Sequence, residues 1–398
     1  MSGSASEGTG RAAVVTACTQ AANVWFSTAE AGQRWRLVAE LHAVVALAHL
    51  VHEGSLLPLV KFAGGLSGPL ADLLPRQLRE DCDQVDLAED GCLSAAAADL
   101  LMENLAPSMA ADRVAELPWH ALNAEKIQGW LYGQLLASGT QQGYVDARLA
   151  VIRHAAGEMV SIMDVVKQAG LPRDGLYEHI PGWAWVLHEG ERYWFGCPLC
   201  RWPMRFQLGR LACAYRPHEQ FMGGPVTVRC TRGAPPHVGG WRRERVAALG
   251  GQPEIAASRV EGHVSLVRPV WRYSTIPGCE EWHLTERLRA LPGVEVQLWP
   301  HTDAFDLLVE VKNRRRAWRV DVKDYTDPGR LAAELLRRGD VRGKDMLIVV
   351  PDHRRDQVRL LNERLQAGLG QPKRTFAMRS SRLLAVVRAA ANAQAVTR

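Results

Sequence analysis

Residues 305 to 323 limit the possible folds more than any other stretch. They read Phe-Asp-Leu-Leu-Val-Glu-Val-Lys-Asn-Arg-Arg-Arg-Ala-Trp-Arg-Val-Asp-Val-Lys, two alternating apolar runs, Phe305 to Val311 and Ala317 to Lys323, around a short basic connection. Alternation with period two marks half-buried strands, and the polar break between them makes a β-hairpin. With Asn313 and Arg314 as a two-residue turn, Phe305 faces Val322, Leu307 faces Val320 and Val309 faces Trp318, so one side is wholly apolar. The other side sets Asp306 across from Asp321, with Lys323 on the same face. Opposed carboxylates repel unless a cation lies between them, and a divalent metal suits that place.

Upstream, Pro277-Gly278-Cys279-Glu280-Glu281 opens a helical run ending near Leu291, in which Glu281 shares a face with Leu284, Leu288 and Leu291. An acid-bearing helix, then Asp306, then Asp321-Val322-Lys323 after a hairpin resembles the PD-(D/E)xK nuclease signature, with Phe305 where a proline usually precedes the first acid. The resemblance implies a Mg²⁺-dependent (or Mn²⁺-dependent) endonuclease. Asp306 and Asp321 would hold the metal with the Val322 carbonyl, and Lys323 would position or help deprotonate the attacking water. Glu281 would complete or modulate the coordination, with Glu280 and Glu286 as alternatives; Asp324 and Glu310 read as solvated or structural.

More narrowly, Trp299-Pro300-His301-Thr302-Asp303-Ala304-Phe305-Asp306 with Trp318 to Asp324 resembles the restriction-endonuclease-like protein that accompanies prokaryotic PIWI-like (pPIWI-RE) proteins in defence gene clusters. That resemblance implies foreign DNA as substrate, and a PIWI-like protein and a helicase as partners. Lys312, Arg314, Arg315 and Arg316 at the hairpin turn are candidates for gripping a nucleic-acid backbone; a solvated basic turn protecting a sheet edge explains them equally well. A catalytically inactive, zinc-containing nucleic-acid-binding or assembly subunit is the alternative function, and an RNA-cleaving enzyme of the same fold is a third.

Of eight cysteines, four lie between Cys197 and Cys230, a bunching that points to reduced thiols around a metal and away from a disulfide framework. Cys197-Pro198-Leu199-Cys200 between short strands has the form of a knuckle that turns two thiolates onto one ion. Cys213 supplies a third ligand to a structural Zn²⁺, while Cys230 and His218 compete for the fourth place. Cys230 is preferred, because all-thiolate ribbons are the commoner arrangement.

Elsewhere the spacing predicts helices over Val24 to Ala31, Trp35 to Glu53, Ala95 to Leu105, Ala124 to Ala137 and Val145 to His154. His42, His49 and His52 share one helix face, where packed or solvated histidines are the usual finding. Met163 to Leu171 followed by Asp174 to His179 has the outline of a helix-turn-helix. Strands are expected at Val264 to Val267, Trp271 to Thr275, Val294 to Leu298, Met346 to Val350 and Arg374 to Met378. Helices are expected at Pro328 to Gly339, Arg354 to Leu369 and Ser380 to Ala395.

The expected architecture is multidomain α+β. Residues 1–11 form a disordered leader, 12–180 a helical N-terminal region, 181–263 a β-rich zinc-ribbon-like module and linker, and 264–398 an α/β restriction-endonuclease-like core with a mixed central sheet. From Val264 onward there are 25 Lys plus Arg against 16 Asp plus Glu, whereas the remainder holds 23 against 27. The basic surplus thus sits with the proposed site, where it can steer a polyanion. Trp35 to His52, the most apolar helical stretch, is interrupted by Arg36, Glu40 and three histidines. A bilayer span needs about 20 mostly apolar residues, so no membrane is implied and a cytoplasmic location is expected.

Overall fold

The computed structural model describes residues 3–392 apart from 29, 80–81, 83–84, 90, 106–128, 173, 313–315, 340 and 342–345. They divide into two compact units, one of Met1–Leu117, Tyr325–Gly339 and Glu363–Gly368, the other of Pro118–Asp324, Asp340–Asn362 and Leu369–Arg398.

In the first unit, α1 (Gly3–Ser27) packs along α2 (Ala31–Glu53), and α3 (Leu59–Gly65) and α4 (Ala95–Leu105) follow; the later segment Pro328–Arg338 is also helical and belongs to this unit. Small residues on α1, namely Val15, Cys18 and Ala22, let it approach Val38 and Val45 closely, and Phe62, Leu66 and Leu70 fill the rest of that core. Helix α1 begins inside the stretch expected to be a leader. Arg11 ties it down, donating to the Leu78 carbonyl at 3.3 Å and pairing with Asp327. The histidines of α2 serve packing: His49 bonds the Leu73 carbonyl at 3.1 Å and His42 the Leu57 carbonyl at 2.6 Å. No described helix is long and apolar enough to cross a membrane.

In the second unit, residues 129–136 are helical, while 124–128 of the helix expected there lie outside the described residues; α5 (Gln141–Arg153) follows, capped by the Thr140 side chain on the Gly143 N–H. Next come β1 (Ala156–Glu158), α6 (Met159–Gln168), β2 (Tyr177–His179), β3 (Trp185–His188) and β4 (Glu191–Phe195). The metal module adds β5 (Arg205–Gln207), β6 (Arg210–Ala212), α7 (Arg216–Met222), β7 (Val226–Arg229) and β8 (His237–Gly239). After α8 (Arg243–Ala248), strands β9 (Ala257–Arg259) and β10 (His263–Leu266) return to earlier sheets, β9 beside β4 and β10 between β1 and β2.

The remainder builds a five-stranded mixed sheet after helix α9 (Ile276–Arg289). Its strands, β11 (Val294–Leu298), β12 (Leu307–Val311), β13 (Arg316–Val322), β14 (Met346–Val350) and β15 (Ala377–Arg379), lie side by side in chain order. The first three are antiparallel, and β14 and β15 join parallel through α10 (Pro328–Arg338) and α11 (Gln357–Leu369). Helix α12 (Ser380–Asn392) closes the order and packs against α9. The run Leu347 to Val350 is buried throughout, as a strand covered on both faces requires.

Three features differ from expectation. Trp271–Thr275 is a helical turn and no strand: Pro269 starts a helical segment at Arg268–Val270, and tertiary packing of Trp271 overrides the aromatic strand preference. The second helix of the supposed helix-turn-helix is absent among the described residues, since Gly170 and Gly175 take φ of 68° and 84° and Tyr177–His179 pairs with β10. The boundaries drawn after residues 180 and 263 cross one continuous core, in which Tyr144 and Ile152 from α5, Phe195 from β4, Trp202, Leu284 from α9, Val309 from β12 and Val349 from β14 belong together.

Candidate functional site

The hairpin pairs in the expected register, Leu307 with Val320 and Val309 with Trp318. Asp306 stands one residue before β12, and Asp321 is the penultimate residue of β13; both are buried, at 7% and 9% exposure. Asp306 Oδ2 accepts the Val322 N–H at 2.5 Å, and Lys323 Nζ donates to Asp321 Oδ1 at 2.6 Å. Burial raises the Asp306 carboxyl well above the carboxylate range, Glu281 and Asp321 push the same way, and Lys323 and Arg148 oppose them. For Lys323, burial alone would favour the neutral amine, yet Asp321, Asp306 and Glu281 outweigh it and keep the ammonium protonated. The four groups singled out in the sequence therefore act on one another electrostatically.

Helix α9 is entered through a π turn at Trp271–Thr275, in which the Ile276 N–H bonds the Trp271 carbonyl. The wider turn accommodates Pro277, which has no N–H to give and whose ring would crowd an ordinary turn. A Cβ on Gly278 would fall 2.3 Å from Ile152 Cδ1, so only glycine lets α9 lie this close to α5. One turn later the buried Glu281 meets Arg148, whose Nη2 stands 2.9 and 3.2 Å from its two oxygens. Burial lifts the Glu281 carboxyl, and Arg148 and the Trp299 indole N–H, which donates to it, pull it back.

The connection from β11 to Asp306 is a left-handed turn. Trp299, His301, Thr302 and Asp303 take φ of 47°, 55°, 53° and 75°, a conformation costing roughly 1 kcal/mol or more per non-glycine residue. Helix α5 supplies what holds it. Gln141 donates to the Trp299 carbonyl and accepts from the Thr302 N–H, both at 2.7 Å. Tyr144 donates to Asp303 at 3.0 Å, and Arg148 pairs with Asp303 at 2.5 Å while its guanidinium lies 4.3 Å above the Trp299 ring. None of these partners stands out in the sequence; their only signal is the spacing of three and seven that puts Gln141, Tyr144 and Arg148 on one helix face.

Asp306 and Asp321 each retain an oxygen without a hydrogen-bond partner among the described residues, and the Val322 carbonyl directly follows Asp321 in the chain. All these donors are oxygen, the chemistry Mg²⁺ and Mn²⁺ prefer. The acids do not, however, draw three donors within 4.8 Å of one another, as the only such cluster among the described residues does. Mg²⁺ tolerates this, because it takes one or two carboxylates and completes its shell with water and substrate phosphate.

That cluster consists of Cys197, Cys200, Cys213 and His218, all buried. The knuckle closes where the Arg201 N–H bonds the Cys197 carbonyl at 2.7 Å, with Arg201 at φ 62°. Cys200 and Cys213 sulfurs are 3.8 Å apart, and His218 Nδ1 is 3.7 Å from the sulfurs of Cys197 and Cys213. Zn–S bonds of about 2.3 Å and Zn–N bonds of about 2.0 Å make tetrahedral edges of roughly 3.5–3.8 Å, so the buried Cys₃His set can hold a metal such as zinc. Burial pushes the thiols of Cys200 and Cys213 up; in Cys197 hydrogen bonds from Cys200, Cys213 and His218 override burial and favour the thiolate. The preference for Cys230 is corrected here. Cys230 is exposed just after β7, whereas the chain beyond Cys213 folds at once into α7 and brings His218 back over the knuckle.

Of the basic turn, Lys312 forms an exposed pair with Glu295 at 2.7 Å. Arg314 and Arg315 lie outside the described residues, as does the side chain of Arg316. Glu280 is partly buried, and burial raises its carboxyl; Glu286 is exposed beside Arg289. Asp324 is fully engaged: Arg354 Nε at 2.8 Å, His353 Nε2 at 3.3 Å and the Tyr215 hydroxyl surround it. Burial alone would raise its carboxyl, and Arg354, His353 and Arg272 reverse this and hold it well below the usual range.

A family model described as "REase associating with pPIWI_RE" matches residues 278–395, the segment from α9 to the end of α12. This part of the chain is therefore similar to that family. No curated protein and no solved structure matches the chain.

Proposed function

We propose that the protein is a metal-dependent endonuclease of the PD-(D/E)xK type that hydrolyses phosphodiester bonds of foreign DNA, working in the cytoplasm beside a PIWI-like protein and a helicase. The observation that carries this reading is the hairpin register, which sets two buried carboxylates and the half-buried Lys323 ammonium at the junction of adjacent strands. Charges gathered in this way are costly to a fold and characteristic of chemistry.

Asp306 and Asp321, with the Val322 carbonyl, would hold Mg²⁺ or Mn²⁺. When bound, the ion supplies charge neutralisation at the scissile phosphate and a more acidic water. Lys323, whose ammonium form its acidic neighbours favour, would position or help deprotonate the attacking water beside the scissile phosphate. Glu281 faces the same carboxylates from α9, clamped by Arg148 and Trp299, and sets the negative potential at the site. The basic turn from Lys312 to Arg316 would bear on the nucleic-acid backbone.

The test is digestion of plasmid and single-stranded DNA, side by side with RNA, in Mg²⁺, Mn²⁺ and EDTA. Asp321→Asn and Lys323→Ala should each lower cleavage at least 10³-fold without moving the melting temperature downward. Cleavage that survives in both variants refutes the assignment. A second reading, a non-hydrolytic zinc-containing assembly or nucleic-acid-binding subunit, draws on the ion pairs that already neutralise Glu281 and Asp321. Nucleic-acid binding without metal-dependent cleavage by the wild-type chain decides for it.

A further inference from the structure

Tyr215 stands between the thiolate cluster and the strand end that carries Lys323. Two residues before it is Cys213 and three after it is His218, so two metal ligands flank it in one short span, and it is the residue from which α7 starts. Its N–H points at Cys213 Sγ at 3.4 Å, and its ring meets the His218 ring edge-on, with centroids 4.8 Å apart. At the far end of the ring the buried hydroxyl donates to the Asp324 carboxylate and lies 3.0 Å from His353 Nε2.

Asp324 directly follows Lys323. The last backbone bond of β13 to β14 is the Lys323 N–H to the Val349 carbonyl at 2.8 Å. Immediately beyond it, Arg354 and His353, which follow β14, and Tyr215, from the metal module, anchor the chain through the Asp324 side chain. The two sites therefore meet at one carboxylate. Helix α7 is a single two-turn element with no side-chain cap at its start, and on its own it has little to fix its orientation. A metal held by Cys213 and His218 would fix both ends of the span containing Tyr215.

We propose that Tyr215 is a positioning residue, which passes the state of the Cys₃His metal centre to Lys323 through Asp324. The centre then does more than stabilise its own module. With the metal in place the hydroxyl holds Asp324, and Lys323 keeps its place beside Asp321; with the metal gone, α7 and Tyr215 move and the strand end loosens. This rests on the nuclease reading only in what it makes of Lys323; the mechanical link stands or falls separately.

The experiment is amide hydrogen exchange on the full chain, zinc-loaded and after zinc is removed by a high-affinity chelator, for the wild type and for Tyr215→Phe. In the wild type, zinc removal should speed exchange across residues 319–324 about tenfold. Zinc-loaded Tyr215→Phe should retain one zinc per chain, speed exchange there about threefold, and lower kcat several-fold with an unchanged KM for DNA. If residues 319–324 exchange identically with and without zinc while 197–218 open, the link is overturned. Should zinc removal unfold the whole chain, zinc-loaded Tyr215→Phe decides: wild-type exchange at 319–324 overturns the proposal. If the link is seen but no variant, nor the wild type, cleaves nucleic acid, the positioning holds and the nuclease reading fails.

Discussion

The Cys₃His cluster and the acid–lysine cluster lie in the same compact unit, and they solve the problem of buried charge in opposite ways. In the first, four donor atoms lie within 4.8 Å of one another, three of the pairs at 3.7–3.8 Å, close to tetrahedral edge lengths. In the second, the acids stay further apart and cationic side chains are interleaved: Arg148 on Glu281, Lys323 on Asp321. The first arrangement suits an ion that arrives once, during folding, and never leaves. The second suits an ion that comes and goes with a polyanion, because the fold must survive without it. Built-in counter-charges allow that survival and weaken the hold on the ion.

The comparison breaks most easily at the knuckle. Cys200→Ser should abolish zinc retention and with it the cooperative unfolding of the second unit, since structural zinc sites contribute on the order of 10 kcal/mol; metal content per chain and a thermal melt measure both. Arg148→Met comes next, at about 3–5 kcal/mol of lost stability in denaturant titrations, because it strands the buried Glu281 carboxylate. Adding Glu281→Met should restore most of that loss. If the single variant is neutral, the acid cluster does not depend on internal counter-charges.

The next effect reads on pH. Burial, reinforced by His218, Arg201 and Arg287, lowers His283 to about 4. Its neutral form therefore contributes stability that is complete above the unfolded value of about 6.5 and is lost as pH falls toward about 4, an effect of up to about 3 kcal/mol. Melting temperatures of wild type and His283→Phe should keep a constant difference at neutral pH, and the wild type should lose stability relative to the variant as pH falls toward about 4; curves parallel throughout would refute it. The smallest effect sharpens the contrast from the other side. Asp306→Asn removes a charge that burial and its neighbours disfavour, and should stabilise the metal-free protein by about 1–2 kcal/mol while ending cleavage.

What could be read in the sequence was whatever depends on neighbours in the chain. The hairpin register follows from alternation alone, and the buried strand Met346–Val350 from an uninterrupted apolar run. Acid-helix and knuckle positions follow from local spacing. Choices among distant residues could not be read. Arg148 meets Glu281 across 133 positions, with no local mark to set that arginine apart from many others. Between Cys230 and His218 the sequence favours Cys230, and only the turn into α7 decides for His218. At Trp271–Thr275 the aromatic residues favour a strand, but a proline on each side and a packed tryptophan decide for a helical turn. Tyr177–His179 fails as a helix because β10, some 85 positions later, offers it a strand partner.

Helix α5 lies outside the family-matched segment 278–395, yet it grips the left-handed turn at Trp299 to Asp303 and neutralises Glu281. A fragment cut at residue 264 would carry every acid and the lysine but lose Gln141, Tyr144 and Arg148. Its turn would relax toward ordinary backbone angles, and the aspartate three residues further on would drift with it. The proposed site is thus not a portable cassette: grafting it requires a helix encoded more than a hundred residues upstream.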